Sequence, residues 1–229
     1  MRKLAVRHLG RLDYAAALAL QKRLAAERQA GAIPDQLLLV EHPHVITLGR
    51  NGREENLLAH PEILSRAGIS FYHTDRGGDI TYHGPGQLVG YPIIDLRCWK
   101  RDVGAYMRAI EQALIDTLAD YGIAAGRIPK LTGVWVGERK IAAIGVHISR
   151  WVTSHGFALN VSTDLSYFHY IVPCGLTKPV TSMAQLLGAT SAPPLAAVGR
   201  NAIAHFGRVF EYEIEYCEMP ENDDVLAVR

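Results

Sequence analysis

A nucleophilic side chain must be held stiffly, left open on one side, and given a cation or base that lowers its pKa. Cys174 sits between Pro173 and Gly175 in a loop rich in turn residues, which suits that task. The same residue also reads as a small buried apolar group, as most cysteines are. Cys98 and Cys217 lack the turn context and read as structural. Lys140 is the second candidate. It precedes the nearly all-apolar run Ile141-Ala142-Ala143-Ile144-Gly145-Val146. It either snorkels to solvent or enters a pocket where partial desolvation suits it to proton transfer. Among ten histidines, His83 and His155 read as pocket groups, and either is a rival general base for Cys174. There is no CxxC, HExxH or paired Cys/His spacing, so no metal is expected.

The stretch from Arg76 to Gln87 places four glycines among Arg76, Asp79, Thr81 and His83. Tight turns need fewer glycines than that, and the stretch reads as a binding loop lying against a ligand. Gly77, Gly78, Ala142, Ala143, Gly145, Gly156 and Ala158 fall in three separate segments. Small residues on facing segments leave room for a thin apolar ligand, or they serve close strand packing. The Gly84-Pro85-Gly86 turn lacks both nucleotide-binding glycine spacings, which argues against phosphate cradling.

The elements that must position these residues alternate irregularly. Asp13 caps a helix running to about Gln29, with Ala17, Leu20 and Leu24 on one face. Strands are expected at 37–40, 45–48, 69–74 and 88–96, with an exposed, mobile loop over 50–60 and a short helix over 61–67. Asp102 caps a helix striped by Tyr106, Ile110, Leu114 and Leu118 and ended by Gly122. Residues 133–136 and 141–149 form a hairpin with Lys140 at its base, followed by a strand at 152–161. Helices over 180–187 and 194–210 and an edge strand over 210–216 complete the chain. Without βαβα alternation, repeat or linker, the pattern predicts one α+β domain over residues 1–229 with a mixed, mostly antiparallel sheet and flanking helices.

Composition narrows the function classes. Apolar residues make up 48% and charged residues 21%, and the formal net charge is +1, so bulk electrostatics favours neither nucleic acid nor an anionic membrane. The opening apolar run meets His8 too soon for a signal peptide, and no later run is long enough to span a bilayer. Three widely spaced cysteines do not suggest a disulfide framework, and the expected compartment is the cytoplasm.

Five motifs in series, from Arg76–Gln87 through Gly133–Val136, Lys140–Gly145 and His155–Asn160 to Pro173-Cys174-Gly175, resemble the lipoyl(octanoyl) transferases. The resemblance implies a fold similar to the catalytic domain of biotin and lipoate protein ligases. It implies Cys174 as the acyl-thioester nucleophile and Lys140 as the partner that lowers its pKa and moves protons. It implies substrate contacts from Arg76, Gly77, Gly78, Asp79, Ile80, Thr81, Tyr82 and His83, from Ala143, Ile144 and Gly145, and from Gly156, Phe157 and Ala158. The implied donor is octanoyl-acyl carrier protein. The implied acceptors are lipoyl domains of 2-oxoacid dehydrogenase E2 subunits and the glycine cleavage H protein, with no cofactor. The alternatives are an ATP-dependent lipoate or biotin ligase and a non-catalytic lipoyl-domain binder.

Overall fold

The computed structural model describes residues 2–172 and 178–217; Cys174, with Pro173 and Gly175, lies outside the described residues. In chain order the strands are β1 (Arg2–Arg11), β2 (Asp35–Glu41), β3 (Val45–Leu48), β4 (Ser70–His73), β5 (Ile80–His83), β6 (Gln87–Ile93), β7 (Gly126–Ile128), β8 (Leu131–Val136), β9 (Arg139–Ser149), β10 (Val152–Asn160) and β11 (Tyr212–Tyr216). The helices are α1 (Tyr14–Gln29), α2 (Pro61–Arg66), α3 (Val103–Ala119), α4 (Met183–Leu187) and α5 (Leu195–Phe210). Eight strands form one sheet in the order β11-β1-β2-β6-β10-β9-β8-β7, and β4-β3-β5 form a smaller one. Pairing is parallel for β11–β1, β1–β2 and β3–β4 and antiparallel elsewhere, so the expected mixed, mostly antiparallel sheet is present.

The sheet is buried on both faces where the site will be built. Leu37 and Leu39 of β2 join a core with Ile110, Leu114, Val198 and Phe206 of α3 and α5. Leu38 and Val40 join the opposite core with Ala17, Leu20 and Leu24 of α1. A strand covered on both faces has no place for a polar residue, which explains the uninterrupted Leu37–Val40 run. Asp13 and Asp102 cap α1 and α3 as expected, each accepting a backbone N–H at 2.8 Å.

Several expectations need correction. The first residues form β1, buried at Leu4, Ala5 and Val6, where no element was expected. The glycine-rich stretch is not one loop: Ile80–His83 is a buried strand paired with β3. The 50–60 segment is mostly exposed as expected, and its first residues are tied to the glycine-rich stretch, the N–H groups of Arg50 and Asn51 bonding to the carbonyls of Arg76 and Gly78. Val180 and Thr181 are not helical. They run extended beside Lys140, and α4 starts only after Ser182 caps it. Cys98 and Cys217 are exposed rather than buried in a core.

Candidate active site

Side chains alternate across a strand, so neighbouring residues of β9 and β10 serve different faces. Ala142 and Leu159 enter the core beneath α3 and α5. On the opposite face Ala143 pairs with Ala158, and Gly145 with Gly156. Four small residues in two facing pairs leave a trough. Val89 and Tyr91 of β6, Thr81 and His83 of β5, and Tyr14 from the first turn of α1 complete a narrow pocket. Tyr14, Val89, Tyr91 and His155 are buried and close it, while Gly78 and Asp79 stand at its more exposed rim.

The glycines of the rim have specific duties. The Gly77 N–H bonds to the Val146 carbonyl at 2.8 Å, laying the loop against β9. A Cβ on Gly145 would stand 2.8 Å from the Gly77 oxygen, and one on Gly156 would stand 2.1 Å from the Gly90 oxygen. Close backbone packing therefore accounts for these two glycines. Gly78 is different: its φ of +89° is a conformation that L side chains rarely adopt. Arg76 is buried and turns its guanidinium to Thr47, with Nη2 donating to the carbonyl at 2.7 Å and to Oγ1 at 2.9 Å. It thereby clamps the glycine loop to β3.

The structure gathers most of the residues expected at the site. Arg76, Gly78, Asp79, Thr81, His83, Ala143, Ile144, Gly145, Gly156, Phe157 and Ala158 all line the pocket. Gly77 backs the rim without lining the pocket. Ile80 and Tyr82 point the other way, into the small-sheet core with Ile46 and Phe168, because they alternate with Thr81 and His83 along β5. Neither of the two lines the pocket. The Asp79 carboxylate accepts from Asn56 Nδ2 and the Ile80 N–H, tying down the neighbouring segment.

Lys140 lies in an adjoining cavity, which shares Thr81, Ala143 and Ala158 with the pocket. Its Nζ stands 4.8 Å from the Trp135 ring centroid. Its backbone is gripped from both sides: the Lys140 N–H donates to the Pro179 carbonyl, and the Thr181 N–H donates to the Lys140 carbonyl, each at 2.9 Å.

A chain of amides runs on from this grip. Asn160 Nδ2 donates to the Thr181 carbonyl at 3.0 Å, and Gln87 Nε2 donates to Asn160 Oδ1 at 2.9 Å. Gln87 Oε1 must then accept, so His83 Nδ1, 2.8 Å away, carries the imidazole proton. Burial, with His42 beside it, pushes the His83 pKa down to about 3. His83 is thus a neutral imidazole and a weak base, which disfavours it as a proton acceptor for a thiol. His155 is also lowered by burial against the pull of Asp75, whose Oδ1 lies 2.8 Å from His155 Nε2. His42 holds the Tyr91 hydroxyl at 2.8 Å and is itself pushed down to about 4 by burial. Tyr14, Val89 and Tyr91 are pocket residues that sequence reasoning missed. The alternation of Val89 and Tyr91 with Leu88 in a strand buried on both faces was the available signal.

Among the described residues, no group of three or more His, Cys, Asp or Glu side chains is placed to hold a metal ion. None of the described helices is long and apolar enough to cross a membrane.

Residues 13–207 match the lipoyl protein ligase A/B catalytic domain. An octanoyltransferase of Solibacter usitatus (strain Ellin6076) is 72% identical over 214 residues, covering 93% of this chain and 96% of the relative. Protein Ta0514 from T. acidophilum, solved with bound lipoic acid, superposes with a TM-score of 0.76 at 17% identity, covering 99% of this chain and 92% of that one. The biotin protein ligase of Aquifex aeolicus, solved with biotin and ATP, gives a TM-score of 0.56 at 11% identity over 90% of this chain and 70% of that one. The two structures share the fold, and the sequence match supplies the kinship: the chain belongs to the lipoyl protein ligase A/B catalytic-domain family.

Proposed function

We propose that residues 1–229 are a single octanoyltransferase domain that acts in protein lipoylation through an acyl-enzyme on Cys174. The observation that carries the reading is the narrow trough between Ala143/Ala158 and Gly145/Gly156, which adjoins the cavity of Lys140. A straight acyl chain fits such a trough. Seven carbons beyond a carbonyl, at about 0.8 kcal/mol each, contribute roughly 5 kcal/mol when buried. The 72% identity to an octanoyltransferase supports the same chemistry.

In this reading the donor is octanoyl-acyl carrier protein, and the acceptor is a lysine of a lipoyl domain in an E2 subunit or the glycine cleavage H protein. Lys140 takes the thiol proton of Cys174 or stands as an ammonium beside the thiolate. The Cys174 sulfur forms a bond to the thioester carbonyl carbon, the donor's carbon–sulfur bond breaks, and the leaving thiolate takes a proton from Lys140. One thioester replaces another, so the step needs neither ATP nor a cofactor. The acceptor amine then attacks the acyl-enzyme, Lys140 receives its proton, and Cys174 is released. The contacts proposed for the acyl group come from Ala143 to Gly145, from Gly156 to Ala158, and from the Arg76–His83 wall. The backbone bond from Lys140 to Pro179, five positions after Cys174 in the chain, supports pairing the two residues. The proposed compartment is the cytoplasm.

Intact mass after incubation with octanoyl-acyl carrier protein tests this directly. The expected result is a gain of one octanoyl group, lost in Cys174→Ser together with transfer. Turnover that survives Cys174→Ser and requires ATP would replace this reading with a ligase. No adduct and no turnover in the unmodified chain would leave a binding protein.

A further inference from the structure

β8 pairs with β9 only as far as Ala142, and the Gly77 N–H takes up the edge again at the Val146 carbonyl. Between those points no described strand pairs with that edge of β9. The acyl pocket lies on one face of β9, lined by Ala143 and Gly145. Ile144 and Val146 face the other side, half-buried, against the core under α3.

On that other side an open groove starts at Lys140. It passes Ile144 and Val146 and is walled by Val103 and Met107 of the first turns of α3. It shares Gly78, Asp79, Ile144 and Gly145 with the acyl pocket, so the two spaces meet at the open stretch of the β9 edge. Beyond Val103 and Val146 it continues to the exposed side chain of Arg50. Val103 is 45% exposed, an apolar side chain standing in water at the groove wall.

We propose that this groove seats the pantetheine arm of the acyl donor, with the thioester at the β9 edge beside Lys140 and the arm's phosphodiester at Arg50. The inference rests on the octanoyl-transfer reading. The occupant follows from length and chemistry. The acceptor is a lysine side chain, a short run of methylenes that needs no groove. The donor's arm is a long, flexible chain with two amides, methylene and gem-dimethyl groups, and a terminal phosphodiester. Half-buried Ile144, Val146 and Met107 and the exposed Val103 suit its apolar parts, and an exposed guanidinium suits its anionic end.

A ladder of octanoyl donors tests the assignment: the 4′-phosphopantetheine thioester, the pantetheine thioester without phosphate, and the N-acetylcysteamine thioester that lacks most of the arm. The rate of Cys174 acylation is read by thiol release in single turnovers. Arg50→Ala should lower the preference for the phosphorylated over the unphosphorylated donor roughly tenfold, the loss of one charge-assisted contact. Val103→Trp, on an exposed helix position that tolerates the change, should lower the preference for pantetheine over N-acetylcysteamine. Unchanged preferences in both variants would overturn the groove assignment. So would normal acylation combined with slowed transfer to an acceptor lysine, which would hand the groove to the acceptor. If the unmodified chain is acylated by none of the donors, the transferase reading itself fails.

Discussion

Tyr14 closes the pocket proposed for the acyl chain from the helix side, and removing it should lengthen the preferred chain. Its ring is 2% exposed and stacks on His83 against the buried end of the trough. Tyr14→Ala deletes the ring and leaves space in line with the acyl chain. Two further methylenes buried there would gain about 1.6 kcal/mol, which is roughly a 15-fold rise in decanoyl over octanoyl preference. The ring's own packing costs about 3–5 kcal/mol of stability, so Tyr14→Leu is the companion that keeps part of it. Acylation rates with hexanoyl, octanoyl, decanoyl and dodecanoyl thioesters give the profile, with circular dichroism confirming the fold. Ala143→Val supplies the contrast. It narrows the trough beside Lys140, so losses should be similar at every chain length. Folded Tyr14→Ala with the parent's length profile would refute the placement of the methyl end at Tyr14. Gly78 would make a poor probe of the same idea, because its φ of +89° strains any side chain before a substrate arrives.

Other consequences follow from the buried polar groups. His42 and His83 have folded pKa values of about 4 and about 3, below the unfolded value near 6.5. The unfolded chain therefore binds more protons as pH falls, so their contribution to stability is intact above pH 6.5 and erodes below it. At pH 5 each should cost about 2 kcal/mol relative to pH 7, and urea unfolding at the two pH values in the parent and in His42→Gln measures it. A parent curve independent of pH would contradict the burial argument. Asn160→Ala strands the Thr181 carbonyl and removes one of the two acceptors of the Gln87 amide, which keeps the Tyr82 carbonyl; we expect a loss of about 2 kcal/mol, or roughly 4–8 °C in Tm, together with slower transfer as the grip on Lys140 loosens. An unchanged Tm would show that the amide chain carries no load. Arg76→Lys cannot reproduce the fork onto Thr47, and scanning calorimetry should show a lower Tm with charge unchanged. A Tm equal to the parent's would mean charge alone holds the loop.

Much of the molecule is written locally. The caps Asp13 and Asp102, the stripe from Tyr106 to Leu118 and the apolar run Leu37–Val40 each announce their element, because capping and periodicity act within a few residues. The serial motifs around Arg76, Lys140 and His155 were enough to bring the right family and fold class into view. Other features depend on partners far along the chain. Ile80–His83 is four residues between Gly78-Asp79 and Gly84, and it becomes a strand only because β3 lies beside it. Val180 and Thr181 precede a helix and look helical, but the Lys140 backbone draws them into an extended pairing. Glycine content alone left ligand approach and close packing open, and the decision fell differently at Gly145 and Gly78 once their neighbours were known.

By itself, then, the sequence determined which residue types were available for acyl transfer and those helices and strands that capping and periodicity announce locally. Tertiary structure alone decided that Ala143 meets Ala158 and Gly145 meets Gly156, since register between strands is a nonlocal property. It also decided that Ile80 and Tyr82 turn away from the pocket, through the two-residue alternation of a strand whose partner the sequence did not name. The His83 proton was assigned in the same way, by a row of amides drawn from three distant segments, each leaving the next a single hydrogen-bonding role.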